Sequence, residues 1–182
     1  MSQFNWPDEI VRICRWKDMA ATDSPELLSP WSLPKVAAKP DAIAAAEAAV
    51  GFKFPEGYLG FLRHANGWEG IVVRLSLFGT PDFISGRAME VMKRPGLIEA
   101  VVRLGFRPDQ CLPIGAASDP KYDNDVFLLV RPDSPVLAGG VVWVDGEDIS
   151  ESDLFVSFEE FFQSLVDHNE ALALQAAARR KQ

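Results

Sequence analysis

Residues 41–70 read DAIAAAEAAVGFKFPEGYLGFLRHANGWEG, and the fold of the chain turns on how this stretch is parsed. It reads as two short helices joined by an aromatic bend. Asp41 follows Pro40 and is placed to cap the first helix, its carboxylate accepting free backbone N–H groups. Ile43, Glu47 and Val50 then fall at i, i+4 and i+7. Gly51 stands where a left-handed C-terminal residue is wanted. Pro55 opens the second helix, at a position whose N–H would be unpaired anyway. Tyr58, Phe61, Leu62 and Ala65 recur at i, i+3, i+4 and i+7 as one apolar stripe. Asn66-Gly67 ends that helix and turns the chain.

Around this stretch lie 182 residues, enough for one well-buried core and few for two. Apolar residues make up 48% and charged residues 24%, an ordinary globular balance. No run approaches the roughly 20 apolar residues of a membrane helix. The start, MSQFNWPDEI, lacks the basic and apolar segments of a signal peptide, so a cytoplasmic location is expected. Cys14 and Cys111 are far apart without C-x-x-C spacing and read as reduced, buried small hydrophobes. The net charge of −8 argues against nucleic acid, whose phosphates need a basic face. It suits a basic protein partner instead.

Outward from the central stretch, residues 1–20 hold one helix with Pro7, Asp8 and Glu9 near its start. Trp6 and Trp16 are placed to cover the core from one side. Residues 21–40, rich in Ser and Pro, read as a wrap or linker. Downstream, Ile71, Val73, Leu75 and Leu77 alternate with Val72, Arg74 and Ser76, which predicts one strand. Gly79 to Phe83 reads as a loop. Residues 84–94 and 97–104 read as helices separated by Pro95-Gly96. Strands are expected at Cys111 to Ile114, Val126 to Val130 and Val141 to Val144, with a polar loop from Gly115 to Asp125 and an acidic loop from Asp145 to Asp153. Ser157-Phe158-Glu159-Glu160 is a capping box opening the last helix, with Val156 and Phe161 set for a hydrophobic staple. The predicted class is α+β: a single domain whose mixed or mostly antiparallel sheet packs against helices.

The order Ile43, Glu47, Val50-Gly51, Phe52, Phe54-Pro55, Tyr58, Phe61-Leu62, Asn66-Gly67 resembles the leading motif of the SUKH superfamily, the Smi/Knr-like proteins. Leu112-Pro113-Ile114-Gly115, Val141-Val142-Trp143-Val144 and Ser157 to Phe162 are similar to that family's closing series. Two departures stand out. Phe52 and Phe54 replace expected aliphatic residues, and Ser118 to Asn124 replaces a glycine-rich turn. The resemblance covers roughly 41–165. It leaves 1–40 as an N-terminal helical and Pro-rich flank, and 166–182 as a helix end and tail. It implies a SUKH-like, non-enzymatic binding protein. The immunity members of the family bind a cognate toxin, and the fungal members imply the alternative of an intracellular regulatory scaffold.

The residues themselves offer little catalytic chemistry. His64 lies on the polar side of its helix and His168 near an apolar stripe, without H-E-x-x-H or zinc spacing. Cys111 sits in an apolar run where burial makes a thiol inert. Asp119, Asp123, Asn124 and Asp125 fail the EF-hand pattern, because Val126 and Phe127 stand where further ligands are needed. Glu47 is placed to hydrogen-bond backbone in the following bend; a catalytic acid would want a second carboxylate and a pocket. No cofactor, metal or catalytic residue is therefore expected.

The candidate partner-binding residues are acidic and aromatic. Asp145, Glu147, Asp148, Glu151 and Asp153 come without a compensating Lys or Arg; they suit either a solvated turn or a patch that meets a basic toxin face. Trp68, beside Glu69, fits both an interface anchor and a core plug. Tyr122, with Asp123 and Asp125, is a further candidate in a polar loop. The expected partner is a basic toxin, a nuclease among the possibilities, with no nucleic acid and no membrane contacted.

Overall fold

A computed structural model describes residues 4–23, 32–117 and 125–179. The central stretch forms α2 (Pro40–Val50) and α3 (Glu56–Leu62), preceded by α1 (Trp6–Asp23). Gly51 is left-handed at φ 78°, and its N–H donates to the Glu47 carbonyl. Asp41 does not cap α2. The helix starts one residue earlier, at Pro40, so Asp41 lies inside the first turn, where its charge favours the dipole.

Asn66-Gly67 turns the chain because Gly67, at φ 92°, lies against Gly79; a Cβ on Gly67 would come 2.8 Å from the Gly79 nitrogen. The Asn66 side-chain carbonyl accepts the Thr80 N–H at 2.7 Å and so fastens the end of the motif to the next segment.

The expected strand over 71–77 is instead a hairpin of β1 (Trp68–Val72) and β2 (Leu75–Leu77). Alternation runs straight through the turn and hides it. The turn uses Val73 at φ 42°, a strained conformation for a β-branched residue. Helices α4 (Thr80–Ile84), α5 (Arg87–Met92) and α6 (Leu97–Arg103) follow, so the predicted loop at Gly79 to Phe83 is largely helical. Asp82 reaches back to accept the Gly79 N–H at 2.9 Å and starts α4.

Strands β3 (Cys111–Ala117), β4 (Val126–Val130), β5 (Val141–Val144) and β6 (Asp153–Phe155) complete one sheet in the order β1-β2-β3-β4-β5-β6, each pair antiparallel. Strand β3 runs three residues past the expected Ile114. Strand β6 arises within and just beyond the predicted acidic loop. The last helix is α7 (Phe158–Arg179).

Both faces of the sheet are covered, which explains the unbroken apolar run of β4. Phe127 and Trp143 are cross-strand partners on one face, where Phe127 meets Phe161 of α7 with ring centroids 4.9 Å apart. On the other face Val126 and Val144 lie beside Leu97 and Ala100 of α6. Gly115 is required between layers, since a Cβ there would come 2.5 Å from both the Phe127 ring and the Ser76 carbonyl oxygen.

Helix α1 packs along α7, and Trp6 enters the cluster of Phe61, Phe158 and Phe162 at centroid distances of 5.1–6.3 Å. At the start of α7 the Glu160 N–H donates to Ser157 Oγ at 3.2 Å, but the Glu160 carboxylate accepts from Val156 N–H, one residue earlier than a capping box. Val156 is exposed. Phe155 packs on Phe161 in its place, with centroids 5.5 Å apart.

Candidate functional site

The first and last strands of the sheet present opposite surfaces. Trp68, in β1, is fully buried, and its indole N–H donates to the Ser32 carbonyl at 3.1 Å. It plugs the core and offers no free face. Glu69 is exposed and pairs with Lys35 at 3.3 Å. Lys17 donates to the Gly70 carbonyl at 2.5 Å and Asn169 to the Ile71 carbonyl at 3.0 Å, so side chains occupy two carbonyls of β1. Burial lowers the Lys17 pKa, with Cys14 opposing. By ordinary strand spacing, β1 lies roughly 24 Å from β6 across the sheet. Trp68 and Glu69 are therefore separated from the acidic residues with which the sequence grouped them. Tyr122 and Asp123 lie outside the described residues.

The loop after β5 does gather Asp125 with Asp145, Glu147, Asp148, Glu151 and Asp153. Asp125 anchors it: one carboxylate oxygen accepts the Trp143 indole N–H at 2.7 Å and the other the Gly146 N–H at 3.0 Å. Asp145 Oδ1 accepts the N–H groups of Glu147 and Asp148 at 2.7 and 2.8 Å, while its own N–H donates to Ser152 Oγ. Asp148 Oδ1 accepts from the Ser150 hydroxyl and N–H, opening a short 3-10 turn over Ile149–Glu151. Those bonds hold the Asp148 carboxyl below its ordinary value, the Ser150 hydroxyl first and its N–H second. Glu147, Glu151 and Asp153 are exposed. From Pro132 to Ala178 the chain contains no Lys or Arg. This end thus carries a negative field on a loop shaped by hydrogen bonds.

Elsewhere the titratable groups serve structure. Glu47 is buried; its carboxylate accepts the Phe54 N–H at 2.9 Å and Lys53 Nζ at 2.7 Å, which is the bend-holding role its place suggested. The buried Tyr58 hydroxyl donates to the Phe78 carbonyl at 2.9 Å, and burial, then Asp82, pushes its pKa well up. Cys14 and Cys111 are free thiols. Burial, with a smaller contribution from Asp109, pushes Cys111 up to about 12. His64 bonds the Gly60 carbonyl at 2.8 Å, and His168 lies over Trp143 at 6.0 Å. Among the described residues no group of three His, Cys, Asp or Glu could hold a metal ion, and no helix is long and apolar enough to cross a membrane.

Residues 37–164 match the SMI1 / KNR4 family (SUKH-1). The chain belongs to that family. The match spans well over half of it, from the strap before α2 to the first turns of α7. As a SUKH-1 member it is an immunity-like or regulatory interaction domain. No curated protein matches the chain by sequence.

One feature of the acidic end escaped sequence reasoning. A small pocket lies at the root of the loop, lined by Leu97, Ala100, Val126, Val144 and Ile149. Its walls come from three separate segments, so no spacing pattern announces it.

Proposed function

We propose that this SUKH-1 domain is an immunity protein. It binds a basic toxin domain in the cytoplasm and masks the toxin's active surface with its acidic end. The reading is carried by one observation: Glu147, Glu151 and Asp153 are exposed on a hydrogen-bonded loop within a segment free of Lys and Arg. If the toxin is a nuclease, these carboxylates stand in for its anionic substrate. Opposite charge also speeds the encounter, and salt weakens that effect.

The test is an affinity pull-down from native lysate, run in parallel with the triple variant Glu147→Lys, Glu151→Lys, Asp153→Lys. Captured proteins are identified and expressed alone to score growth arrest. Immunity predicts a basic, growth-arresting protein that is rescued by co-expression of this chain and lost from the variant. Equal capture by both samples keeps immunity and moves the site elsewhere. Capture of endogenous, harmless proteins alone overturns immunity in favour of a regulatory scaffold.

A further inference from the structure

The pocket at the root of the acidic loop encloses about 130 Å³. That size selects the occupant. Pockets for whole small molecules run roughly 300–1,000 Å³, whereas an apolar cavity of roughly 150 Å³ takes up one benzene. The space fits one Leu- or Phe-sized side chain. Leu97, Ala100, Val126, Val144 and Ile149 supply aliphatic walls. Arg94 also lines the pocket, its Nη2 donating to the Ala117 carbonyl at 3.0 Å. Asp145 lines the pocket as well, so the wall carries both charges and its aliphatic majority favours an uncharged side chain. Just outside, the charge is negative: the exposed Glu147 and Asp148 stand between the lining residues Gly146 and Ile149.

We propose that this pocket receives one aliphatic or aromatic side chain of the protein partner, presented by a loop whose flanking residues are lysines or arginines. The inference rests on the reading of the acidic end as the partner face. The apolar anchor is buried against α6 and the sheet, and its basic flanks meet the loop carboxylates. Anchors seated in small desolvated pockets contribute most of an interface's affinity, while surrounding charges set orientation and rate.

Three peptides test it by titration into the methyl-labelled full chain, followed by NMR: acetyl-Lys-Lys-Leu-Lys-Lys-amide, its Ala-centred analogue, and acetyl-Glu-Glu-Leu-Glu-Glu-amide. The Leu-centred basic peptide is expected to shift the methyls of Leu97, Val126, Val144 and Ile149, and to bind roughly tenfold tighter than the Ala-centred one. The acidic peptide should leave them unmoved. Ala100→Leu fills the pocket, and Ile149→Arg adds a cation at a half-exposed wall. Each should bring the Leu-to-Ala ratio to about one, and the second serves if the first disturbs folding.

Equal binding of the two basic peptides, or still methyls, overturns the proposal. So do shifts produced by protein concentration alone, which would make a second copy the occupant. The pull-down reads immunity separately. Toxin capture without a Leu preference removes only the pocket, and a Leu preference without toxin capture removes only immunity.

Discussion

The motif end and the acidic end of this molecule both use carboxylates to hold backbone, yet they treat charge in opposite ways. Around α2 to α4 most acids have cationic partners: Glu47 with Lys53, Glu56 with Arg63, Glu69 with Lys35 and Asp82 with Arg87, while Asp41 sits at the start of α2. That surface is close to neutral. Between residues 145 and 160 no carboxylate has an ion-pair partner among the described residues; the Asp145, Asp148 and Glu160 carboxylates accept N–H or O–H groups instead. Such bonds fix the geometry of a carboxylate without cancelling its charge. The difference separates a region that specifies the fold from one that presents a field.

The comparison predicts where the molecule breaks. Phe161 touches Phe127, Phe155 and Phe158, and through Phe158, which meets Tyr58 and Phe61 of α3, it links the sheet to the motif helices. Phe161→Ala should cost about 3–5 kcal/mol in urea unfolding. A loss under about 1 kcal/mol would mean that the two ends do not share one core.

A matched pair sharpens it. Glu47→Ala leaves the Phe54 N–H buried and unsatisfied, which should cost about 2 kcal/mol. The Lys53 pair adds little, because Lys53 is exposed. Asp125→Ala removes the acceptor of two N–H groups as well, but Trp143 is half-buried and Gly146 exposed, so water replaces it and the cost falls to about 1 kcal/mol. Equal losses would erase the distinction between the ends.

The two ends were unequally legible in the sequence. Helices α2 and α3, Gly51, Pro55, β4 and β5 follow from periodicity and from residues with a single conformational use. The β1–β2 turn did not, because Val73 takes a backbone angle its side chain disfavours, with no Gly or Asn to mark it. Strand β6 was hidden because it is short, acidic at Asp153 and exposed at Leu154, so neither alternation nor an apolar run remained. The candidate site was half legible. Uncompensated charge can be counted along the chain, but the role of Asp125 as anchor and the pocket beneath it depend on distant segments meeting.

The pH response divides along the same line. Burial over Trp143 lowers the His168 pKa below its ordinary 6.5, so the folded chain binds fewer protons there than the unfolded one. The stability from this group is present above 6.5 and is lost as pH falls through the folded value. His168→Gln should flatten unfolding free energy just below pH 6.5 and leave the acid limb unchanged. The Asp148 contribution starts lower, being present above its ordinary 3.8 and lost on further acidification. An unchanged profile in the variant would place the neutral-to-acid loss elsewhere.

The smallest expected effect is the most diagnostic. Glu147→Lys, Glu151→Lys and Asp153→Lys touch side chains that are exposed and accept no hydrogen bond among the described residues. Unfolding free energy should therefore move by less than about 0.5 kcal/mol for each substitution. At low salt the triple variant should gain slightly, because reversing charge at this end relieves self-repulsion in a chain of net charge −8. Salt should erase that gain as the Debye length shrinks. A large loss of stability would show that these acids belong to the fold, as Glu47 does, and the contrast between the two ends would collapse. Unchanged stability combined with lost capture of a basic protein would show charge held in place for a partner.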